Sequence, residues 1–185
     1  QRLYREVLAA NPDHVDALHW LGVIEGQHGD LRTALALLLR AVELNPRDPV
    51  VYDDLGTAQR ELNLRAQALQ SFERALALKP DYAKAFSDRG VVLLEMRRLE
   101  EALASLEQAL ALNPNDVDTL LRSCRVLRAL GDADAAIGRC LHALALEESD
   151  RTRGAFAELL KGIRFSSDDL HLGPYLIRAM TEAWG

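Results

Sequence analysis

Apolar positions along the chain fall into blocks of about a dozen residues at helical spacing, and the blocks come in pairs. Leu18, Tyr52, Phe86 and Leu120 are large and apolar, and four residues after each stands a small one: Gly22, Gly56, Gly90 and Cys124. The second block of each pair carries alanine at Ala34, Ala68, Ala102 and Ala136 and again at Ala41, Ala75, Ala109 and Ala143. Leu38, Phe72, Leu106 and Cys140 lie between those alanines, and Leu44, Leu78, Leu112 and Leu146 close the blocks. Each pair reads as helix, turn, helix, with small side chains where two helices must approach closely.

The punctuation has the same interval. Pro12, Pro46, Pro80 and Pro114 are spaced 34 residues apart, and each removes an amide donor where a second helix has to stop. Gly29 and Gly131 mark the turn inside a pair, where a left-handed residue ends the first helix. Asn63 and Arg97 hold the equivalent places, Asn63 tolerating that conformation and Arg97 adopting it at a modest cost. The chain thus divides into a half unit at 1–14 and full units at 15–48, 49–82, 83–116 and 117–150.

This size pattern at this period resembles the tetratricopeptide repeat (TPR) family. The resemblance implies an all-α fold, a right-handed superhelical solenoid of antiparallel helix pairs, in which each hairpin buries an otherwise exposed face on its neighbour. The array would cover residues 1–150. Residues 151–185 lose the register but keep helical stripes and are expected to form C-terminal capping helices. One stripe is Phe156, Leu159, Leu160 and Ile163; after Gly173-Pro174 comes another, Leu176, Ile177, Met180 and Trp184. The fourth unit departs most, with Ser123, Cys124 and Cys140 and no closing proline, so looser or atypical packing is expected there.

Charge and composition narrow the functions. The net charge is −6 with a pI near 5.4, which argues against binding a phosphate backbone. No apolar run reaches the length of a membrane span. Two cysteines, Cys124 and Cys140, form neither a disulfide framework nor a paired-Cys zinc site and read as buried, unreactive thiols, and a reducing, cytoplasmic setting follows. His14, His19, His28, His142 and His171 lack zinc-ligand spacing and read as surface residues. Asp53-Asp54, Glu100-Glu101 and Asp168-Asp169 read as solvated or capping carboxylates, because adjacent helical residues do not face a shared substrate. None of the glycines sits in a phosphate-cradling loop. No catalytic residue, cofactor or metal site is expected in this segment.

Function then falls to the groove that the resemblance implies, lined by the first helices. Its inward positions are His19, Trp20, Val23 and Gln27 in the first unit, and Asp53, Asp54, Thr57 and Arg60 in the second. Lys84, Ser87, Asp88, Val91 and Leu94 follow in the third, and Leu121, Arg122, Arg125 and Arg128 in the fourth. Of the clamp with which chaperone-binding members hold a terminal carboxylate, only Lys84 fits, and the asparagine row of O-GlcNAc-transferase-like arrays is absent. What is left is a polarised groove, acidic at Asp53, Asp54 and Asp88 and basic at Arg122, Arg125 and Arg128, with Trp20 as an aromatic anchor.

The expected function is a non-catalytic scaffold that binds a partner protein or peptide in that groove. Two alternatives stand beside it. Gln1 opens inside a helix pattern and Trp184-Gly185 ends abruptly, as in a recruiting region excised from a larger bacterial transferase, and the stretch 176–184 resembles the linker after TPR arrays in methyltransferases and glycosyltransferases. Alternatively, Leu3, Tyr4 and Val7 in the half unit offer an apolar end through which copies self-assemble.

Overall fold

The computed structural model describes residues 1–161, so the stripe at 176–184 and Ile163 lie outside the described residues. Every regular element among the described residues is an α-helix, and none is long and apolar enough to cross a membrane. The helices are α1 (Arg2–Ala10), α2 (Val15–Gln27), α3 (Leu31–Leu44), α4 (Pro49–Glu61), α5 (Arg65–Leu78), α6 (Ala83–Glu95), α7 (Leu99–Leu112), α8 (Val117–Leu130), α9 (Ala133–Leu146) and α10 (Asp150–Lys161). The described residues separate into two compact units, divided after Arg98.

Local chemistry sets the helix ends. Asp30, Asp48, Asp116 and Asp132 each accept a backbone N–H of the first turn they precede, satisfying an amide that has no intrahelical partner. His14 does the same for Ala17 through Nδ1. Pro49 occupies the opening turn of α4, where its missing N–H costs nothing. In the turns after α2, α4, α6 and α8, Gly29, Asn63, Arg97 and Gly131 all have positive φ, at 87°, 65°, 62° and 86°. The left-handed turn is therefore fixed by position, and Arg97 takes it without the glycine that would remove the strain.

Packing follows the schedule of sizes. Ala34, Ala68, Ala102, Ala136, Ala41, Ala75 and Ala143 are fully buried, and Ala109 nearly so. In the first unit α2 packs on α3, α4 on α5, and α2, α4 and α6 lie side by side. Its core gathers Leu18, Leu38, Val51 and Leu55, with Leu8 of α1 against it. A Cβ added at Gly56 would meet Phe72 Cε1 at 2.8 Å, and one at Gly22 would meet Leu38 Cγ at 2.9 Å. The glycines are there because a large side chain of the second helix lies across them.

In the second unit α8 packs on α7 and α9, and α10 rests on both α8 and α9. Phe156 and Leu159 of α10 join Leu127, Ile137, Cys124 and Cys140 in one cluster. The glycine-against-large contact is replaced here by two cysteines, both buried, so this slot is filled rather than loose. Leu112 and Leu146, the last residues of their helices, remain 45% and 42% exposed; the apolar stripe runs past the contact it serves.

Candidate functional site

Two constellations contain most of the charged groove positions, one in each unit. In the first unit, α2, α4 and α6 bring His19, Asp53, Asp54, Lys84 and Asp88 together. The Lys84 ammonium contacts Asp53 Oδ2 directly, with Asp88 Oδ2 at 3.3 Å and Asp54 Oδ1 at 3.8 Å. His19 Nε2 lies 2.7 Å from Asp54 Oδ2. His19 is buried, not a surface residue, because its position on α2 faces the next first helix. Asp53 and Asp54, although adjacent in sequence, converge on one lysine from two sides. Asp53 is neither solvated nor capping: it is fully buried, and its Oδ1 has no partner.

Burial pushes the Asp53 carboxyl up to about 6 despite the lysine beside it. Burial works against the Lys84 ammonium, but the carboxylates of Asp53, Asp88 and Asp54 outweigh it and raise its pKa. Tyr82 is pushed up to about 12, first by burial and then by the negative charge of Asp53. The cluster is thus an acidic patch that already holds its own cation, and Lys84 remains half exposed at its mouth.

The remaining first-unit positions are more varied. Trp20 is 47% exposed, its ring tilted 31° to that of His19 at 4.8 Å. Gln27 is exposed, Val23, Thr57, Val91 and Leu94 are half-buried, and Ser87 is buried. Thr57 Oγ1 donates to the Asp53 carbonyl. Arg60 is committed to Glu95 at 3.3 Å, a carboxylate that Arg65 also approaches at 3.4 Å. Buried Glu25 accepts from Gln1 Nε2 and Arg5 Nη2, and these two hydrogen bonds hold its pKa below the ordinary range.

In the second unit, Arg122, Arg125 and Arg128 of α8 and Arg151 of α10 line one hollow of about 430 Å³. Leu121, Cys124, Ala155 and Leu159 supply its apolar walls, and Asp118 and Glu158 are its carboxylates. Asp118 pairs with Arg151 at 2.6 Å. Glu158 accepts from Lys161, and that hydrogen bond lowers its pKa. Arg125 and Arg128 are exposed, while Arg122 is half-buried. Guanidinium groups arranged around an apolar floor suit a carboxylate-bearing side chain whose stem can be desolvated.

Sequence reasoning missed Arg151, Glu158, Tyr82 and the Glu25 contacts. A signal for the inter-repeat pairs exists in the spacing. His19 and Asp54 are 35 residues apart, Asp53 and Lys84 31, Arg60 and Glu95 35, and Glu107 and Arg139 32. Residues about one period apart sit on equivalent helices of successive repeats, so opposite charges at that offset meet.

Comparison with known proteins matches three stretches to tetratricopeptide repeat families, residues 1–49, 50–82 and 83–116. The fold is similar to the crystal structure of MamA, at 27% identity and a TM-score of 0.73 over 80% of this chain and 86% of that one. It is also similar to a thermophilic TPR protein of Thermus thermophilus, at 27% identity and a TM-score of 0.71 over 91% of this chain and 100% of that one. A third similar structure is the first TPR domain of Spaghetti (RPAP3) bound to the HSP90 peptide SRMEEVD. It is 26% identical, with a TM-score of 0.62 over 63% of this chain and 93% of that one. No curated protein sequence matches significantly.

Proposed function

Since the chain belongs to the tetratricopeptide repeat family, we propose that it is a non-catalytic binding scaffold that takes an acidic polypeptide segment into the arginine-lined hollow. The observation that carries this reading is the convergence of four arginines from two helices on one concavity. A hollow of about 430 Å³ admits one or two side chains rather than a folded domain. Arginine offers a planar fork to a carboxylate, and Leu121 and Leu159 of the same lining offer apolar contact to its stem. The similar TPR domain bound to SRMEEVD, a peptide with three acidic side chains, is consistent with this ligand chemistry.

The acidic patch of the first unit and Trp20 are the proposed contacts for a basic or aromatic residue of the partner. Lys84 tempers that patch, so it is the weaker of the two. The remaining groove positions shape the surface and carry less of the affinity.

Isothermal titration with SRMEEVD and with its amidated counterpart, Glu→Gln and Asp→Asn, tests the reading. The acidic peptide should bind, the amidated one should bind at least tenfold more weakly, and Arg125→Glu should abolish the difference. Equal affinity of parent and Arg125→Glu for the acidic peptide refutes it.

A second reading, association of copies, is favoured by Leu3 of α1, which is 66% exposed. Sedimentation over a concentration series tests it: a mass that rises with concentration in the parent and not in Leu3→Glu supports it, and a constant monomer mass contradicts it.

A further inference from the structure

The fourth repeat solves its helix contact differently from the first two. In the first two repeats glycine lies under Leu38 or Phe72, and any Cβ there would be pressed to within 3 Å of the large side chain. In the repeat 117–150 the same two places hold Cys124 and Cys140, two medium-sized side chains that share the space of one large one. Their sulfurs lie 2.7 Å apart and both are free thiols. That separation falls between the roughly 3.5–4.0 Å of non-bonded heavy atoms and the covalent S–S length of about 2.04 Å.

The two thiols differ in access. Cys140 is fully enclosed, whereas Cys124 forms part of the wall of the arginine hollow. A hydrogen bond from Cys140 and the nearby charge of Arg128 hold Cys124 below the ordinary thiol range, with burial opposing them. Cys140 is raised, by giving its proton to that hydrogen bond and by burial. One sulfur therefore borders the hollow, placed to meet a disulfide that enters it, and the other is the resolving thiol behind it.

We propose that Cys124 and Cys140 are a redox-active dithiol that closes to a disulfide by exchange with a small anionic disulfide admitted through the arginine hollow. The Cys124 thiolate attacks one sulfur of the small disulfide, forming a mixed disulfide and expelling one small thiolate. Cys140 attacks the Cys124 sulfur, its proton passing to the second small thiolate as that thiolate is expelled. Two protein thiols are oxidised, and one small disulfide is reduced to two thiols once the expelled thiolates are protonated. Closure joins α8 to α9 across the buried contact and places a covalent bond in the wall of the hollow. This inference does not depend on the acidic-peptide reading.

The whole chain, reduced and then freed of reductant, is incubated with oxidised glutathione at neutral pH, and intact mass and tryptic peptides are read without reduction. The expected product has lost two hydrogen atoms, joins residues 123–125 to residues 140–151, and keeps its helical circular dichroism. Cys140→Ser should instead accumulate a glutathione adduct at Cys124, and Cys124→Ser should acquire none. Thiols that stay fully alkylatable, chains cross-linked to one another, or loss of helix on oxidation would each overturn the proposal. Arg128→Gln should slow closure several-fold, and an unchanged rate would overturn the access route.

Discussion

Replacing glycine by alanine at two helical sites separates packing from propensity. Gly56 in α4 and Gly138 in α9 are both interior helical glycines, so alanine at either should gain about 0.5–1 kcal/mol from backbone propensity alone. Their surroundings differ. A Cβ at Gly138 meets nothing within 4 Å, whereas one at Gly56 comes within 2.8, 2.9 and 3.0 Å of three ring atoms of Phe72. That ring is fully buried. Overpacking of this kind costs about 1–3 kcal/mol, so Gly138→Ala should stabilise the protein and Gly56→Ala should fall short of it by that margin. Urea unfolding followed by circular dichroism measures both. Phe72→Ala, expected to cost about 3–5 kcal/mol in the parent, should cost about 1 kcal/mol less in the Gly56→Ala background, where the new methyl occupies part of the cavity. If Gly56→Ala stabilises as much as Gly138→Ala, with no coupling to Phe72, the size-matched contact between the two helices is refuted.

Other consequences concern the charged clusters. The Asp53 carboxyl titrates near 6 in the folded chain, against an ordinary 3.8. A carboxyl raised on folding contributes stability below its unfolded pKa and loses that contribution as pH rises through its folded value. The parent should therefore gain on Asp53→Asn by about 2 kcal/mol between pH 7 and pH 4; a pH-independent difference in urea midpoints would contradict the burial of a charged Asp53. Arg5→Met should leave buried Glu25 with Gln1 as its remaining partner of the two and speed amide exchange in α1, and unchanged exchange would show that this contact does not hold α1 in place. Trp20→Ala, at a half-exposed site, should keep stability within about 0.5 kcal/mol, and a larger loss would move Trp20 into the core.

Much of the fold was legible because its signals repeat. Ala34, Ala68, Ala102 and Ala136 recur at one interval and are all fully buried, and the turn residues at 29, 63, 97 and 131 all take positive φ. Size and backbone conformation are local requirements, and each repeat states them again. The charged contacts were less legible, since they depend on which side chains of successive helices meet. Asp53 looked like an exposed half of a carboxylate pair, yet the packing of α4 against α6 buries it on Lys84. Cys124 and Cys140 were each readable as small packing residues, but their mutual contact requires taking the glycine and large-residue slots as a pair. Arg151 lies outside the 34-residue register and could be placed only once α10 was seen against α8.

Nitrogen-15 chemical-shift mapping of the protein during titration with SRMEEVD locates where an acidic peptide binds. Saturable shifts should concentrate at Leu121, Arg122, Arg125 and Arg128 in α8 and at Arg151 and Ala155 in α10, and should disappear in Arg125→Glu. Shifts that avoid both helices, or that persist unchanged in that variant, would contradict binding in the arginine-lined hollow.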